Sequence, residues 1–526
     1  MKKIILFLAL IPGIICQGLA NNVKVSNATL TGQNVGNNYT NVQFDLSWDN
    51  SWRVNTGPSN WDAAWVFIKF QENGSVWKHA TLSPNSGDHS IGTDASNPAA
   101  PGTVYATSDG KGVFMNRTTV GGPSSINWQN IQLRWNYGND GVASTANVTV
   151  KVFAIEMVYI PQGPFFIGDG YIQTSPSTNG FKLNNVGDNR PFEITSEASF
   201  TFQSSSGAST SQPFDPLNSS GYTLNTNYPK GFAEFYVMKY EISQKQYMDF
   251  FNTLNNNLII KNERNLALNG GYRNTLYWSG QVLDGMIING GSGDRACNNL
   301  SHADLCAYAD WACMRPMSEL EFEKICRGTV TATQTAVYPV NGEFAWANTS
   351  INPVYQSYYY ISNDNTASEG LTGGCGNWPY MNANYNGGIG GPLRAGFFPA
   401  KNCTNNIRYY SGTTHYGVAD MSGNVSEIVI ANYSIYYGAA PIQRTTHGDG
   451  ALNGNGNSDV YYWYNPNQYG EVRNGNSYDY YGTKGGSWGD GQNALRVSDR
   501  SSITFNTNNC ASRSPYNGGR CVRVPN

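Results

Sequence analysis

The stretch GVADMSGNVSEIV, residues 417–429, places two acidic side chains and a glycine turn between apolar residues. Asp420 and Glu427 offer carboxylates, and a turn at Gly423 can aim its own carbonyl and that of Val425 inward. A hard cation such as Ca²⁺ binds about six to eight oxygen ligands of these kinds. The alternative is a polar turn without metal, in which Asp420 caps the turn and Glu427 bonds to nearby backbone.

The composition of the whole chain excludes some classes of function. Its 526 residues are too many for one compact core and indicate two or three domains. Charged residues make up 13% and the net charge is −3, so no electrostatic surface for nucleic acid is expected. Tyr, Asn, Gly and Ser dominate the loops, a composition found in binding surfaces and also in loop-rich exported β proteins.

The first 20 residues have the pattern of a secretory signal peptide. A basic start precedes an apolar stretch at residues 4–15, and Gly18 and Ala20 provide small residues before a cleavage site. Lipidation at Cys16 is not favoured, because a bulky isoleucine precedes it. We therefore expect export to the periplasm, cell surface or medium, with no transmembrane segment in the mature chain.

Cysteine positions fit an exported chain. Without Cys16, eight cysteines remain, all after residue 290, and an even number suggests disulfides. Cys510 and Cys521 are the best candidate pair because they bracket a short loop. The histidines are scattered and no CxxC occurs, so the sequence gives no support for a zinc site.

Residues 21–153 are predicted to form an all-β, sandwich-like domain. NVQFDLSW (41–48) alternates apolar and polar residues, and Asn73-Gly74 joins two strand-like runs as in a hairpin. Seven of the 13 tryptophans lie here. We expect most of them in the core, with an exposed row for sugar binding as the alternative.

Residues 154–526 have a different character, and the whole chain is assigned to the α+β class. Three helices are predicted, each beginning after a capping serine: Ser243, Ser301 and Ser318. Beyond residue 330 the sequence indicates loops, turns and short strands.

Six segments of this second region, in order, resemble the sulfatase-modifying-factor, or formylglycine-generating-enzyme-like, domain family. The segments are MVYIPQGPFFIGDG (157–170), FYVMKYEISQKQYMDFFN (235–252), CMRPMSELEFEKICRG (313–328), YGVADMSGNVSEIV (416–429), KGGSWGDGQNALRVSDR (484–500) and GGRCVRV (518–524). The resemblance implies a variant of the C-type lectin fold for residues 154–526 and does not cover residues 21–153.

The resemblance also implies structural calcium. The positions matching the family's ligands are Asp420 and Glu427 through side chains, and Gly423 and Val425 through the main chain. A second family site would begin at Asn348, with Asp364 as a candidate partner.

The oxidases of this family use two cysteines, five apart, after the GGS motif, and bind copper(I) there. This chain has Asp490 and Leu495 at those positions. A carboxylate and an aliphatic group cannot bind copper(I) as soft thiolates do. No copper is therefore expected. The helical, iron-binding domain of the family's sulfoxide synthases is also missing from the sequence pattern.

The other acidic side chains that could act as catalytic groups are expected to have structural roles. Glu319, Glu321 and Glu323 are expected to be paired or solvated within their helix. Arg496, Asp499 and Arg500 are expected to form a buried ion pair that fixes the C-terminal strand.

The favoured hypothesis is thus an exported, non-catalytic surface or secreted protein with a structural or recognition role, whose ligand is a protein or glycan. A metal-dependent oxidase acting on protein thiols and a carbohydrate-binding surface protein are the alternatives. The candidate binding-loop residues are Tyr461, Tyr462, Trp463, Tyr464, Tyr478, Tyr480, Tyr481 and Trp488.

Overall fold

A computed structural model of the chain describes residues 23–94, 102–168, 181, 191–202, 222–269, 271–291, 293–329, 345, 383–387, 389–400, 412–431, 442–460, 463, 481–503 and 511–525. The described part is mostly β structure. Its first strands are β1 (Lys24–Asn34), β2 (Tyr39–Arg53), β3 (Asp62–Glu72), β4 (Lys78–His79), β5 (Thr93–Asp94), β6 (Gly102–Ala106), β7 (Val113–Arg117), β8 (Gly121–Trp135) and β9 (Val148–Ile160).

The remaining elements are shorter. The strands are β10 (Phe165–Ile167), β11 (Phe192–Ile194), β12 (Phe200–Phe202), β13 (Tyr222–Leu224), β14 (Phe235–Met238), β15 (Leu276–Tyr277), β16 (Ile287–Ile288), β17 (Arg315–Pro316), β18 (Ser426–Ile430), β19 (Tyr481–Lys484), β20 (Asn517–Gly518) and β21 (Cys521–Arg523). The helices are α1 (Gln244–Phe251), α2 (Leu258–Glu263), α3 (His302–Trp311), α4 (Glu319–Arg327) and α5 (Phe397–Ala400). No helix among the described residues is both long enough and apolar enough to cross a bilayer.

The N-terminal region forms two layers of sheet. Within the described residues, one sheet has the order β1-β2-β8-β5 and the other has the order β17-β21-β14-β9-β3-β7-β6, with β4 beside β3. On β2, the alternate residues Val42, Phe44, Leu46 and Trp48 are buried, as the sequence pattern predicts. The hairpin predicted at Asn73 is also present, since β3 pairs with β4 across a turn in which this residue has a positive φ.

Strand β3 is buried on both faces. Ala64, Val66 and Ile68 belong to the core between the two sheets. Trp65 and Phe67 point to the opposite face and join the core that contains α1 and α3. Burial of both faces explains why AAWVFIKF is a nearly continuous apolar run and does not alternate.

Strand β9 connects the two predicted regions. It pairs with β3 along eleven residues and with β14 at its C-terminal end, from Met157 to Ile160. The predicted boundary at 153/154 therefore falls inside one strand. Sheet hydrogen bonds run without interruption from the N-terminal strands to β21 near the end of the chain.

The three predicted helices begin where their caps were expected. Ser243, Ser301 and Ser318 each accept a hydrogen bond from the third helical N–H, and each helix has a complete capping box. Helix α3 is buried along its entire length and lies at the centre of the second region.

Candidate functional site

The loop that precedes β18 is folded into the interior. Asp420, Gly423 and Asn424 all have positive φ, at 61°, 89° and 68°. Gly423 lies so close to Asn384 that a Cβ would stand 2.7 Å from the Asn384 carbonyl oxygen. The glycine is required at this position both by the left-handed conformation and by the lack of space.

Three carboxyl groups are buried around this loop. Asp420 and Glu427 are the two that the sequence identified, and they are 5% and 0% exposed. The third is Glu241, whose carboxylate accepts hydrogen bonds from the Asn424 side chain at 2.5 Å and the Val425 backbone N–H at 3.0 Å. Sequence reasoning missed Glu241, although it lies shortly after the end of β14 within a quoted family segment.

Arg520 provides a positive charge to this carboxyl cluster. Its Nε donates to Oε1 of Glu427 at 2.7 Å. The same guanidinium donates to the backbone carbonyls of Met238, Lys239 and Ala419. It is fully buried, so its charge is balanced within the protein.

Burial outweighs the positive charges close to the carboxyl cluster, which come from Arg520 and Arg394. Burial raises the pKa of Asp420, Glu427 and Glu241, although Arg520 opposes the increase in each case. The second carboxyl oxygen of Glu427, Oε2, is buried and has no hydrogen-bond partner. A buried carboxylate oxygen without a donor fits a position where a cation binds.

The predicted calcium ligands are of the oxygen types that the ion accepts. Asp420, Gly423, Val425 and Glu427 are all described and buried, the first three in the loop before β18 and Glu427 on β18 itself. Oδ2 of Asp420 accepts a hydrogen bond from the Gly396 N–H at 2.5 Å. Two carboxylates and two main-chain carbonyl oxygens are ligands that suit calcium. Asn348 and Asp364, predicted for a second site, lie outside the described residues.

A separate group of three aspartates could hold a metal ion. Carboxylate oxygens of Asp310, Asp449 and Asp459 lie within 4.8 Å of one another, with Asp310 buried on α3 and the other two exposed. Burial raises the pKa of Asp310 to about 7. The two exposed residues come from the Gly- and Asn-rich segment HGDGALNGNGNSD (447–459), a composition typical of tight loops that the sequence analysis did not consider.

The GGS motif is folded around an aspartate where the oxidases have a thiol. Oδ2 of Asp490 accepts hydrogen bonds from the Ser487 N–H at 2.8 Å, its hydroxyl at 2.6 Å and the Ser426 hydroxyl at 3.4 Å. Leu495, at the second thiol position, is fully buried in the core with α4. Both side chains have structural roles in this geometry.

Five cysteines are described and all are buried, and no disulfide joins any two of them: Cys297, Cys306, Cys313, Cys326 and Cys521. The expected disulfide between Cys510 and Cys521 is therefore not formed in this structure, because Cys521 is a free thiol in β21; Cys510 lies outside the described residues. Burial raises the pKa of the Cys521 thiol and raises that of Cys313 to about 12. These two thiols are protonated near neutral pH and are poor nucleophiles.

His302, the first residue of α3, is expected to titrate far below the usual range. Its Nε2 lies 3.4 Å from the Cys306 sulfur, and its ring stacks on Tyr481 at 4.6 Å. Burial lowers the pKa of His302 from 6.5 to about 4. The stability due to the neutral ring is therefore complete above pH 6.5 and is lost as the pH falls through 4, an effect of about 3 kcal/mol.

An NMR titration of the histidine C–H signals, assigned with His302→Gln, should place the midpoint for this residue near pH 4. A midpoint near 6.5 would show that the ring is exposed to solvent, contrary to its packing in the structure.

The binding-loop candidates fall into two groups. Trp463, Tyr481 and Trp488 are described, and each is less than 10% exposed. Trp463 and Tyr481 belong to the core around α3. The remaining candidates, Tyr461, Tyr462, Tyr464, Tyr478 and Tyr480, lie outside the described residues.

The acidic residues of α4 are paired, as expected. Glu321 forms two hydrogen bonds with Arg315, and Glu323 contacts Lys484. Glu319 pairs with Arg500 at 3.0 Å. Arg500 thus has a carboxylate partner on α4, and the ion pair within Arg496, Asp499 and Arg500 stays a prediction.

The N-terminal tryptophans are mostly core residues, as predicted. Four are almost completely buried: Trp48, Trp65, Trp128 and Trp135. Trp61 is half-buried, but its ring stacks on Tyr159 at 4.0 Å and the guanidinium of Arg53 lies 4.0 Å from its centroid. This contact leaves little of Trp61 for stacking on a sugar.

Comparison with known proteins agrees with the arrangement of the second region. The model of the sulfatase-modifying factor enzyme 1-like domain matches residues 143–525, which is more than half of the chain. The match begins shortly before β9, the strand that both regions share. No curated protein matches the sequence.

Proposed function

Because the chain belongs to the sulfatase-modifying factor enzyme 1-like domain family, we propose that it is an exported, non-catalytic member with a structural or recognition role at the cell surface or outside the cell. The observation that carries this proposal is the geometry at Asp490 and Leu495. The oxidases need two accessible thiols at these positions. Here one side chain is hydrogen-bonded to serines and the other is buried.

The state of the other sulfur atoms supports a non-catalytic role. Cys521 is the nearest described cysteine in sequence to the GGS motif, and it is buried in the large sheet. A copper(I) site needs thiolates that can lose their protons and approach the metal. The raised pKa of Cys521 opposes the first requirement, and its burial opposes access.

We further propose that the loop before β18 holds a structural calcium ion. Asp420 and Glu427 would supply carboxylates, and Gly423 and Val425 would supply main-chain oxygens. The ion would supply positive charge to a buried cluster in which Oε2 of Glu427 has no hydrogen-bond partner. Its role would be to stabilise the fold. An ion that binds the folded chain but not the unfolded chain raises the free energy of unfolding.

The test is a metal analysis of the mature chain from residue 21, followed by thermal unfolding with and without a chelator. We expect stoichiometric calcium, no copper, and a lower melting temperature after chelation. At a calcium concentration of about 100 times Kd the stabilisation would be about 2.7 kcal/mol. The variant Asp420→Asn, Glu427→Gln keeps the side-chain shapes and should lose the response to the chelator.

A matched control separates this loop from the three-aspartate group. The variant Asp449→Asn, Asp459→Asn also removes two carboxylates and should retain the response. If only this second variant loses the response, calcium binds at the three-aspartate group and the proposed site is wrong. Stoichiometric copper, together with oxidation of a cysteine-containing peptide, would support the oxidase alternative.

A further inference from the structure

Three aromatic rings form a compact surface patch next to the GGS motif. Trp488 lies 5.1 Å from Tyr272 and 5.0 Å from Tyr516, measured between ring centroids. The two tyrosine rings are 6.5 Å apart and inclined by 40°. Trp488 is 4% exposed, whereas Tyr272 and Tyr516 are 52% and 40% exposed. The aromatic patch thus has a buried tryptophan base and two tyrosines that face solvent.

The aromatic patch is held rigidly by its backbone. Tyr272 has a φ of 49°, in a turn closed by the pair Gly271 and Asn274. The side-chain amide of Asn298 donates to the carbonyls of both Tyr272 and Pro515, each at 3.2 Å. Rings fixed in advance lose little conformational entropy when a ligand binds.

Trp488 and Gly489 connect the rings to the same framework. The indole Nε1 of Trp488 donates to the Pro515 carbonyl at 3.0 Å. A Cβ on Gly489 would lie 2.3 Å from the ring of Tyr516, so this tyrosine fits only beside glycine. The positions of these rings are therefore fixed by the GGS turn and by the segment before β20.

Charged groups close to the aromatic patch in sequence are hydrogen-bonded to other parts of the protein. Arg273, which follows Tyr272 and is half-buried, donates from Nε to the Pro392 carbonyl at 3.0 Å. The carboxylate of Asp490 accepts from Ser487. The guanidinium of Arg513 pairs with Asp304 at 2.8 Å. The exposed residues that follow or precede the rings are uncharged: Gly489, Gly491, Gln492, Asn493 and Ser512. A ligand on the rings would meet aromatic faces, amides and hydroxyls. The one carboxylate in the cavity described next, that of Asp499, accepts a hydrogen bond from the Ser501 hydroxyl at 2.6 Å.

The residues that follow the GGS turn in sequence line a polar depression. A cavity of about 420 Å³ is lined by Gly491, Gln492, Asn493, Ala494, Asp499 and Ser501. Its volume suits a small ligand or one residue of a chain. Gly491 and Gln492 follow closely after Trp488 in sequence.

We propose that the aromatic patch binds a pyranose ring of a neutral glycan. The apolar C–H faces of a sugar pack against aromatic rings, and its hydroxyls suit the amide and hydroxyl groups nearby. A charged ligand would find no free charge among the exposed residues named above. This inference names a ligand class for the recognition role proposed above and rests on that role.

The experiment measures binding of defined sugars to the full mature chain by titration calorimetry and tryptophan fluorescence. The probes are hexamers of glucose, mannose and N-acetylglucosamine, with an uncharged proline-rich peptide for comparison. At least one hexamer should bind and change the fluorescence. Tyr272→Ala should weaken binding about tenfold, the loss expected when one aromatic contact is removed.

Two further variants test whether binding depends on the aromatic ring of Tyr272. Tyr272→Phe retains the ring and should retain most of the affinity. Tyr105→Ala removes a tyrosine that is 49% exposed on β6, far from the GGS turn in sequence, and should leave binding unchanged. Circular dichroism of each variant checks that it is folded.

Failure of this inference can be told from failure of the proposed function. If no hexamer binds, if Tyr272→Ala binds as the wild type does, or if the peptide alone binds, the glycan assignment is overturned. None of these results changes the calcium and copper contents, which test the proposed function.

Discussion

Replacement of Arg520 with methionine is expected to lower the free energy of unfolding by about 3–5 kcal/mol, the usual cost of breaking a buried ion pair. Arg520 is fully buried and is hydrogen-bonded to Glu427 and to three backbone carbonyls. Methionine replaces only the aliphatic part of arginine, so the positive charge and the hydrogen bonds of the guanidinium are lost together. Urea unfolding followed by circular dichroism measures the change.

A surface ion pair provides the control for this prediction. Arg134 lies 3.2 Å from Asp88, and both side chains are more than a quarter exposed. Arg134→Met should cost no more than about 1 kcal/mol. If the two substitutions cost the same, Arg520 does not provide the charge that stabilises the cluster, and another cation must do so.

Trp65→Ala is expected to cost about 3–5 kcal/mol and to loosen both regions of the chain together. The indole Nε1 donates to the Ala312 carbonyl at 2.8 Å, and the guanidinium of Arg523 lies 4.4 Å from the ring centroid. A large cavity would therefore form between β3 and the end of α3. Hydrogen exchange should become faster in β3 and in α3 alike.

Trp77→Ala is the matched control, because Trp77 is half-buried and lies next to β4. It should change stability much less and should leave exchange in α3 unchanged. Faster exchange confined to β3 in Trp65→Ala would show that the shared sheet does not couple the two regions.

The parts of the fold that depend on nearby residues could be predicted from the sequence. Ser243 and Ser318 were identified as helix caps because a cap and its partner are three residues apart. The alternation in β2 is equally local. The pairing of β3 with β9 is not local, and no pattern within either strand specifies its partner.

The candidate site was predicted only in part for the same reason. Asp420 and Glu427 stand in one short stretch, so their types and spacing were visible. Glu241 and Arg520 join them only through the sheet, where β14 lies beside β21. The three-aspartate group likewise needs α3 and a distant loop, and the thiol state of Cys521 depends on its position in the sheet.

The face of β3 that carries Trp65 and Phe67 has a consequence for synthesis. The ribosome makes this strand early, but α3 and β21, which cover and complete its surroundings, are made much later. Until then this aromatic face is exposed to solvent, and exposed apolar surfaces promote aggregation. We therefore expect a chain interrupted before α3 to expose this face and to be a target for proteolysis.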